Sequence, residues 1–201
     1  MQSPIGNATI DSFREHVAGA NDPIAGGVAV ASVSASLGMA LLALTLKVAS
    51  KRKDFSGDRT RLIKLMAAVK RESALLARCA DQDIAAYQQY RNSLKRKRGV
   101  EAALRRIVET PLEAAGSATR GVDLCEEAVF LAPLSVVSDL GAAATLLAGS
   151  VKAILLTVDA NLRLLPPAGK LRVKAGKTRR DLETRATRQV ERVLRKVARL
   201  I

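Results

Sequence analysis

The sequence PIAGGVAVASVSASLGMALLALTL, residues 23–46, contains no charged residue and consists largely of Gly, Ala, Ser, Val and Leu. Its 24 residues are enough for a helix that crosses a bilayer. Small residues recur at spacings of three or four, which places Gly27, Ala31, Ala35 and Gly38 on one side of a helix. Such a side lets a second helix approach closely, either in lipid or within a bundle in water. The surroundings of this segment therefore decide the fold.

A second segment of the same kind, LGAAATLLAGSVKAILLTVDANL, occupies residues 140–162. Asp139 precedes it and Lys152 lies well inside it, and a charge within a membrane is costly. The first segment also carries hydroxyl groups on several faces, which one packed face would not cover: Ser32, Ser34, Ser36 and Thr45. We therefore predict two buried core helices, with a small helical membrane protein as the alternative.

The rest of the chain has helical periodicity and no convincing strand alternation. One long amphipathic helix is predicted from Arg59 to about Leu94. Pro111 is predicted to open another helix, because proline suits the first turn. The run Pro-Pro-Ala-Gly at 166–169 ends the second small-residue helix.

The tail from Thr178 is amphipathic, with one apolar face and one face rich in Arg and Lys. We expect it to pack on the other helices with its basic face in water, with a helix that binds a membrane surface or nucleic acid as the alternative. The predicted fold is all-α: a single-domain helical bundle with two central small-residue helices and a C-terminal amphipathic helix. We divide the chain into a helical domain, 1–168, and a basic helical extension, 169–201, packed on the bundle.

The charge is strongly positive, with 33 Lys and Arg against 19 Asp and Glu and a net charge of +14. This predicts an anionic partner. The scarcity of aromatics, three Phe and two Tyr without Trp, argues against nucleic acid, because few rings are available to stack on bases. The excess is concentrated in three segments: 47–53, 91–106 and 163–201.

The chain has one histidine, His16, and two cysteines, Cys79 and Cys125, that form no CxxC motif. These residues do not supply a metal site, so none is predicted, and the cysteines are expected to be buried reduced thiols. The N-terminal sequence lacks the basic and apolar regions of a signal peptide. We therefore expect a cytoplasmic protein.

Three polar side chains in apolar surroundings are candidate functional residues. Asp83 lies in CADQDIAAY, and Tyr87 follows it at i+4, which places the ring beside the carboxylate. An exposed helical position is the alternative for Asp83. Asp139 follows Ser138 at the start of an apolar helix, where a helix cap is the simplest interpretation. Asn161 lies either on a helix surface or with its amide in a cleft.

Taken together, these segments resemble the formiminotetrahydrofolate cyclodeaminase and methenyltetrahydrofolate cyclohydrolase family over residues 9–165. The segments that carry the resemblance, in chain order, are DPIAGGVA at 22–29, KRKDF at 51–55, DQDIAAY at 81–87, TPLE at 110–113, SDLGAA at 138–143 and TVDANL at 157–162. Their order and spacing are moderately specific.

The resemblance implies an all-helical homodimer that binds a folate in a cleft near the loop of residues 22–27, which we call the glycine loop. It assigns the catalytic carboxylate to Asp83, with Tyr87 to orient it. It implies further substrate-binding residues: Pro23, Gly26, Gly27, Lys51, Phe55, Lys95, Asp139 and Asn161. The partner is a tetrahydrofolate substrate with one or several tail glutamates, and we expect no separate cofactor, no metal, no nucleic acid and no membrane.

The reaction we predict is hydrolysis of 5,10-methenyltetrahydrofolate to 10-formyltetrahydrofolate, with a carboxylate that assists water attack. The ammonia-releasing cyclodeaminase reaction is the first alternative. The chain departs from the family pattern at Ile24-Ala25, at Phe55 and at Thr157. A catalytically inactive member that binds folate or a protein is therefore a further alternative.

Overall fold

The computed structural model describes residues 5–20 and 22–201. This part of the chain contains helices and no strand, so the predicted all-α fold is confirmed. The six α-helices are α1 (Ile10–Gly19), α2 (Gly27–Lys51), α3 (Arg59–Arg96), α4 (Val100–Ala128), α5 (Val137–Leu162) and α6 (Lys170–Ala198), with short 3₁₀ helices at Ile5–Asn7 and Leu134–Val136.

Helices α2 to α5 form a four-helix bundle in which each packs on the next and α5 packs back on α2. Helix α6 lies in the groove between α4 and α5. Helices α2 and α5 are antiparallel, because Gly27 lies beside Thr157 whereas Gly38 lies beside Leu147. Short connections favour this up-and-down arrangement.

Small residues allow α2 and α5 to approach closely at the centre of the bundle. A Cβ atom added to Gly38 would lie 3.0 Å from Leu147 Cγ and 3.2 Å from the Ala143 carbonyl oxygen. Gly121 on α4 faces the same layer, where an added Cβ would lie 2.6 Å from Met39 Cε. With few aromatics, a core of small side chains can pack densely only where the backbones lie this close.

Helix α2 and the segment Leu134–Leu162 are each long and apolar enough to cross a membrane by length and composition. In their most apolar windows, 44% and 56% of the residues are buried within the bundle. The inner faces of these helices thus contact other helices of the same chain, as in the core of a helical bundle.

Two predicted helix starts are wrong. Helix α4 runs without a break through Pro111, where the sequence predicted the opening of a new helix. Helix α5 begins at Val137 after Val136, so Asp139 is not its cap but lies in its first turn. A carboxylate there still interacts favourably with the positive end of the helix dipole.

We expect Gly38→Ala to lower the free energy of unfolding by about 1–3 kcal/mol, because the added methyl group overpacks the contact between α2 and α5. The matched control is Gly116→Ala, where an added Cβ would meet only the flexible Arg120 Nη1 at 3.4 Å. This control should gain up to about 1 kcal/mol from helix propensity. Urea unfolding measures both, and equal stability of the two variants would contradict the close approach.

Candidate functional site

Asp83 lies on the stripe of α3 that faces the bundle. The stripe repeats at spacings of three and four, and it places Asp83 between the buried residues Cys79 and Ala86. Two hydrogen bonds between α3 and α4 flank this position, one from Arg106 to Gln89 at 2.7 Å and one from Ser117 to Glu72 at 2.8 Å. On α4 the segment opposite Asp83 is therefore the one around Pro111.

The entry to α2, the segment that leads into its first turn, lies against the same part of α3. Ala80 packs with Ala25 and Ala29 in a small buried cluster, and Ile84 packs against this cluster. About two turns beyond Ile84 on α3, Arg91 forms an ion pair with Asp22. The glycine loop is therefore within about one helical turn of Asp83.

The carboxyl group of Asp83 has no hydrogen-bond or ion-pair partner among the described residues. Burial raises its pKa from 3.8 to about 6. Glu72 on the same stripe behaves differently: burial opposes its charge, but bonds from Arg120 and Ser117 keep its pKa below the usual value. Asp83 can therefore exchange a proton near neutral pH, which is the property of a general acid or base.

A cleft of about 530 Å³ lies between α1 and the α2 entry, with one side of α3 as its floor. Its polar lining comprises Ser12, His16, Asp81 and Gln88. The Asp81 carboxylate accepts a hydrogen bond from the Ile5 backbone N–H at 3.0 Å. His16 Nε2 lies 2.7 Å from the Pro23 carbonyl oxygen, so this nitrogen carries the proton. The two bonds hold the N-terminal segment over the cleft.

Asp81 and Asp83 face different directions. Two residues apart on a helix, they point about 200° apart. Asp81 shares its face with Ile84 and Gln88 and lines the cleft, whereas Asp83 faces the bundle. Sequence reasoning did not single out Asp81, Ser12 or His16 as site residues, because their approach depends on how α1 folds over α3.

Three of the predicted site residues lie at the same end of the bundle as Asp83, but they differ in exposure and in hydrogen bonding. Tyr87 is 43% exposed, and no hydrogen bond joins its hydroxyl to another described residue. Lys95 is exposed, 12 residues beyond Asp83 and therefore about 18 Å along the helix. The Asn161 side chain donates to the Ile107 carbonyl at 2.6 Å.

The bond from Asn161 has a clear physical reason. Pro111 has no N–H, so the Ile107 carbonyl four residues earlier lacks its helical donor. The amide of Asn161 on α5 supplies that donor and joins α5 to α4. Asn161 therefore holds the backbone of the site in place.

Three other predicted residues lie at the opposite end of the bundle. Helix α2 runs for about 36 Å from Gly27 to Lys51, and Phe55 follows Lys51 in the next loop. Asp139 lies at the same far end, because α5 is antiparallel to α2. Within one chain, Lys51, Phe55 and Asp139 therefore do not join the group around Asp83.

The described residues contain no group of three His, Cys, Asp or Glu close enough to hold a metal ion. The chemistry available here is instead that of a desolvated carboxyl group beside an apolar, small-residue helix entry.

A family model described as formiminotransferase-cyclodeaminase matches residues 9–169. The chain belongs to this family of folate-processing enzymes. The resemblance inferred from the sequence motifs is thus confirmed. Helix α6 begins where the matched range ends.

The fold is also that of a solved family structure. Formiminotetrahydrofolate cyclodeaminase from Thermotoga maritima superposes with a TM-score of 0.90 at 19% sequence identity, over 96% of this chain and 98% of that chain. At this identity the similarity shows a shared fold. A comparison with curated proteins gives no match.

We expect Asn161→Ala to lower the free energy of unfolding by about 1–3 kcal/mol, because the Ile107 carbonyl loses its donor. The test is a double-mutant cycle with Pro111→Ala, which restores a backbone N–H at position 111. In the Pro111→Ala background, Asn161→Ala should cost clearly less. Urea unfolding of the four proteins gives the coupling energy, and additive effects would show that Asn161 does not replace the missing donor.

Proposed function

We propose that this enzyme hydrolyses 5,10-methenyltetrahydrofolate to 10-formyltetrahydrofolate, with Asp83 as the catalytic carboxylate. The observation that carries the proposal is the desolvated carboxyl group of Asp83, unpaired among the described residues and close to the glycine loop. Membership of a folate-processing family supports the class of substrate.

The chemistry matches a half-buried carboxylate. The methenyl compound carries a cationic amidinium carbon, to which water adds before one C–N bond breaks and leaves the formyl group. Asp83 would take a proton from the attacking water as a general base. Its negative charge would also stabilise the bound cation, because the interaction is strong where water is excluded. Tyr87, one turn further along α3 and partly exposed, would orient the carboxylate.

A second copy of the chain is part of the proposal. On the outer side, α2 exposes Val30, Leu37 and Leu44 at intervals of seven residues. The adjacent face of α5 exposes Leu146 and Leu156. No charged residue interrupts the α2 face between Val30 and Leu44. An uncharged apolar face on α2, extended by exposed leucines of α5 on either side of the exposed Lys152, is typical of a protein interface.

The symmetry of such a pair would also complete the site. A twofold axis perpendicular to α2 near its centre makes the two α2 helices antiparallel. Lys51 and Phe55 of one chain then lie near Pro23 and Gly27 of the other. The two separated groups of predicted residues would be brought together, with Lys51 and Lys95 available to the tail carboxylates of the folate. We place this homodimer in the cytoplasm, without a further cofactor.

The cyclodeaminase reaction is a second candidate, because the solved Thermotoga maritima enzyme with this fold is a formiminotetrahydrofolate cyclodeaminase. That reaction needs an acid to protonate the departing ammonia. A carboxyl group with a pKa of about 6 is partly protonated at neutral pH and meets this need.

We expect the purified protein to remove methenyltetrahydrofolate absorbance, and Asp83→Asn to lower kcat by roughly 10²–10⁴-fold. Because the base must be ionised, kcat/KM should rise with pH through about 6. Asp181→Asn, on the exposed surface of α6, is the matched control and should retain full activity.

Release of ammonia from formiminotetrahydrofolate, without methenyl hydrolysis, would favour the cyclodeaminase. Tight folate binding without turnover of either substrate would favour an inactive member. Full activity of Asp83→Asn would remove this residue from the mechanism.

We expect Leu37→Lys to convert a dimer of twice the 21.4 kDa chain mass into a monomer, because it places a charge in the apolar face of α2. Enzymatic activity should be lost together with the dimer. Ile63→Lys, at an exposed apolar position on α3, is the control and should leave a dimer. Light scattering and circular dichroism measure mass and fold. A monomeric wild type, or an active Leu37→Lys monomer, would contradict the shared site.

A further inference from the structure

We propose that the groove between the end of α5 and the first half of α6 binds a small polyanion, a ligand with two or more phosphate or carboxylate groups. The groove has a volume of about 540 Å³ and lies apart from the cleft beneath α1. Its lining includes Asp159, Arg163, Arg172, Gly176 and Arg180. This site goes beyond the proposed hydrolysis.

The groove collects three guanidinium groups without matching negative charge. Arg172 Nη1 donates to the Leu165 carbonyl at 2.9 Å, which holds this side chain in place. Neither Arg163 nor Arg180 is hydrogen-bonded or ion-paired to another described residue through its side chain. Planar guanidinium groups can bind carboxylate or phosphate through two parallel hydrogen bonds.

The carboxylate in the lining is partly neutralised. Asp159 Oδ2 accepts two hydrogen bonds from Arg179, from Nη2 at 2.8 Å and from Nε at 3.1 Å. Arg179 also pairs with Glu183 one turn along α6. Because one guanidinium serves two carboxylates, the charge presented to the groove is that of Arg163, Arg172 and Arg180 less one negative charge, which leaves a net positive groove.

The shape of the groove suits a compact ligand. Arg172, Gly176 and Arg180 lie at intervals of four residues on one face of α6. A Cβ added at Gly176 would meet only Arg180 Nη1, at 3.8 Å, so this position leaves space between the two arginines. The volume is within the range of small-molecule sites.

The positive electrostatic field around the groove also attracts anions. Segments 88–106 and 163–180 contain fourteen Lys and Arg and a single carboxylate, Glu101. The bond between Asn161 and Ile107 places the end of α5 beside this part of α4, so both segments lie at one end of the bundle. A concentrated positive field raises the local concentration of anions.

A small anion fits these features better than a nucleic acid or a membrane. No aromatic side chain lines the groove to stack on bases. Ala175 and Ala186 on the apolar face of α6 are buried in the bundle and cannot enter lipid. The α6 side of the groove, with Arg172, Gly176 and Arg180, lies beyond the range that matches the family model, whereas the α5 side, with Asp159 and Arg163, lies within it.

The experiment is calorimetric titration of the full chain with two probes, tripolyphosphate and tri-γ-glutamate, at low and moderate salt. We expect saturable binding of at least one probe. Arg172→Gln combined with Arg180→Gln should weaken it by about tenfold or more, from the loss of charge-assisted hydrogen bonds. Tripolyphosphate as the tighter probe would indicate a phosphate ligand, and tri-γ-glutamate a polycarboxylate.

The control is Arg188→Gln combined with Arg199→Gln, which removes the same charge from two exposed positions outside the groove, one on α6 and one at its C-terminal cap. It should weaken binding by less than about threefold, since only the screened long-range field changes. Gly176→Leu fills the groove without changing its charge and should weaken binding about as much as the groove double variant. Equal losses in groove and control variants, unaffected binding in Gly176→Leu, or no saturable binding of either probe would overturn the proposal.

Discussion

The close approach of α2 and α5 is the constraint on which the rest of the structure depends. A methyl group at Gly38 would lie only 3.0 Å from Leu147 Cγ, so the two backbones lie nearer than larger residues allow without a shift. A core built from Ala, Leu and Val gains its dispersion contacts only at such short range. The amphipathic helices α3, α4 and α6 then cover the sides of this pair, and the entry to α2 fixes where a site can form.

The same geometry explains why two acidic residues on one stripe of α3 differ so much. Glu72 lies beside Arg120 and Ser117, which stabilise its charge. Asp83 lies beside the small-residue entry of α2, where no described donor reaches it and burial raises its pKa. An ionisable group left without a donor is costly to stability and is common where a substrate supplies the missing interaction. Glu72 is therefore structural, and Asp83 is available for chemistry.

Much of the fold could be predicted from the sequence, because helical periodicity and small-residue spacing are local signals. The helix starts at Pro111 and Asp139 were predicted wrongly for one reason: each depends on the tertiary surroundings of a residue. Pro111 is tolerated within α4 because Asn161, fifty residues later, replaces the missing donor. The roles of His16 and Asp81 were invisible for the same reason, since α1 brings them together only in the folded chain.

The uncharged character of α2 requires more than burial in one chain. A helix that only packs on a bundle keeps a charged outer face, as α3 and α6 do. Helix α2 has apolar side chains on both sides, and its outer leucines are exposed in the single chain: Leu37 is 56% exposed. A second copy would cover this face, and the antiparallel symmetry would also carry Lys51 and Phe55 to the Asp83 end. Selection for packing, association and catalysis would then act on the same helix, so a charge would be excluded from either side of it.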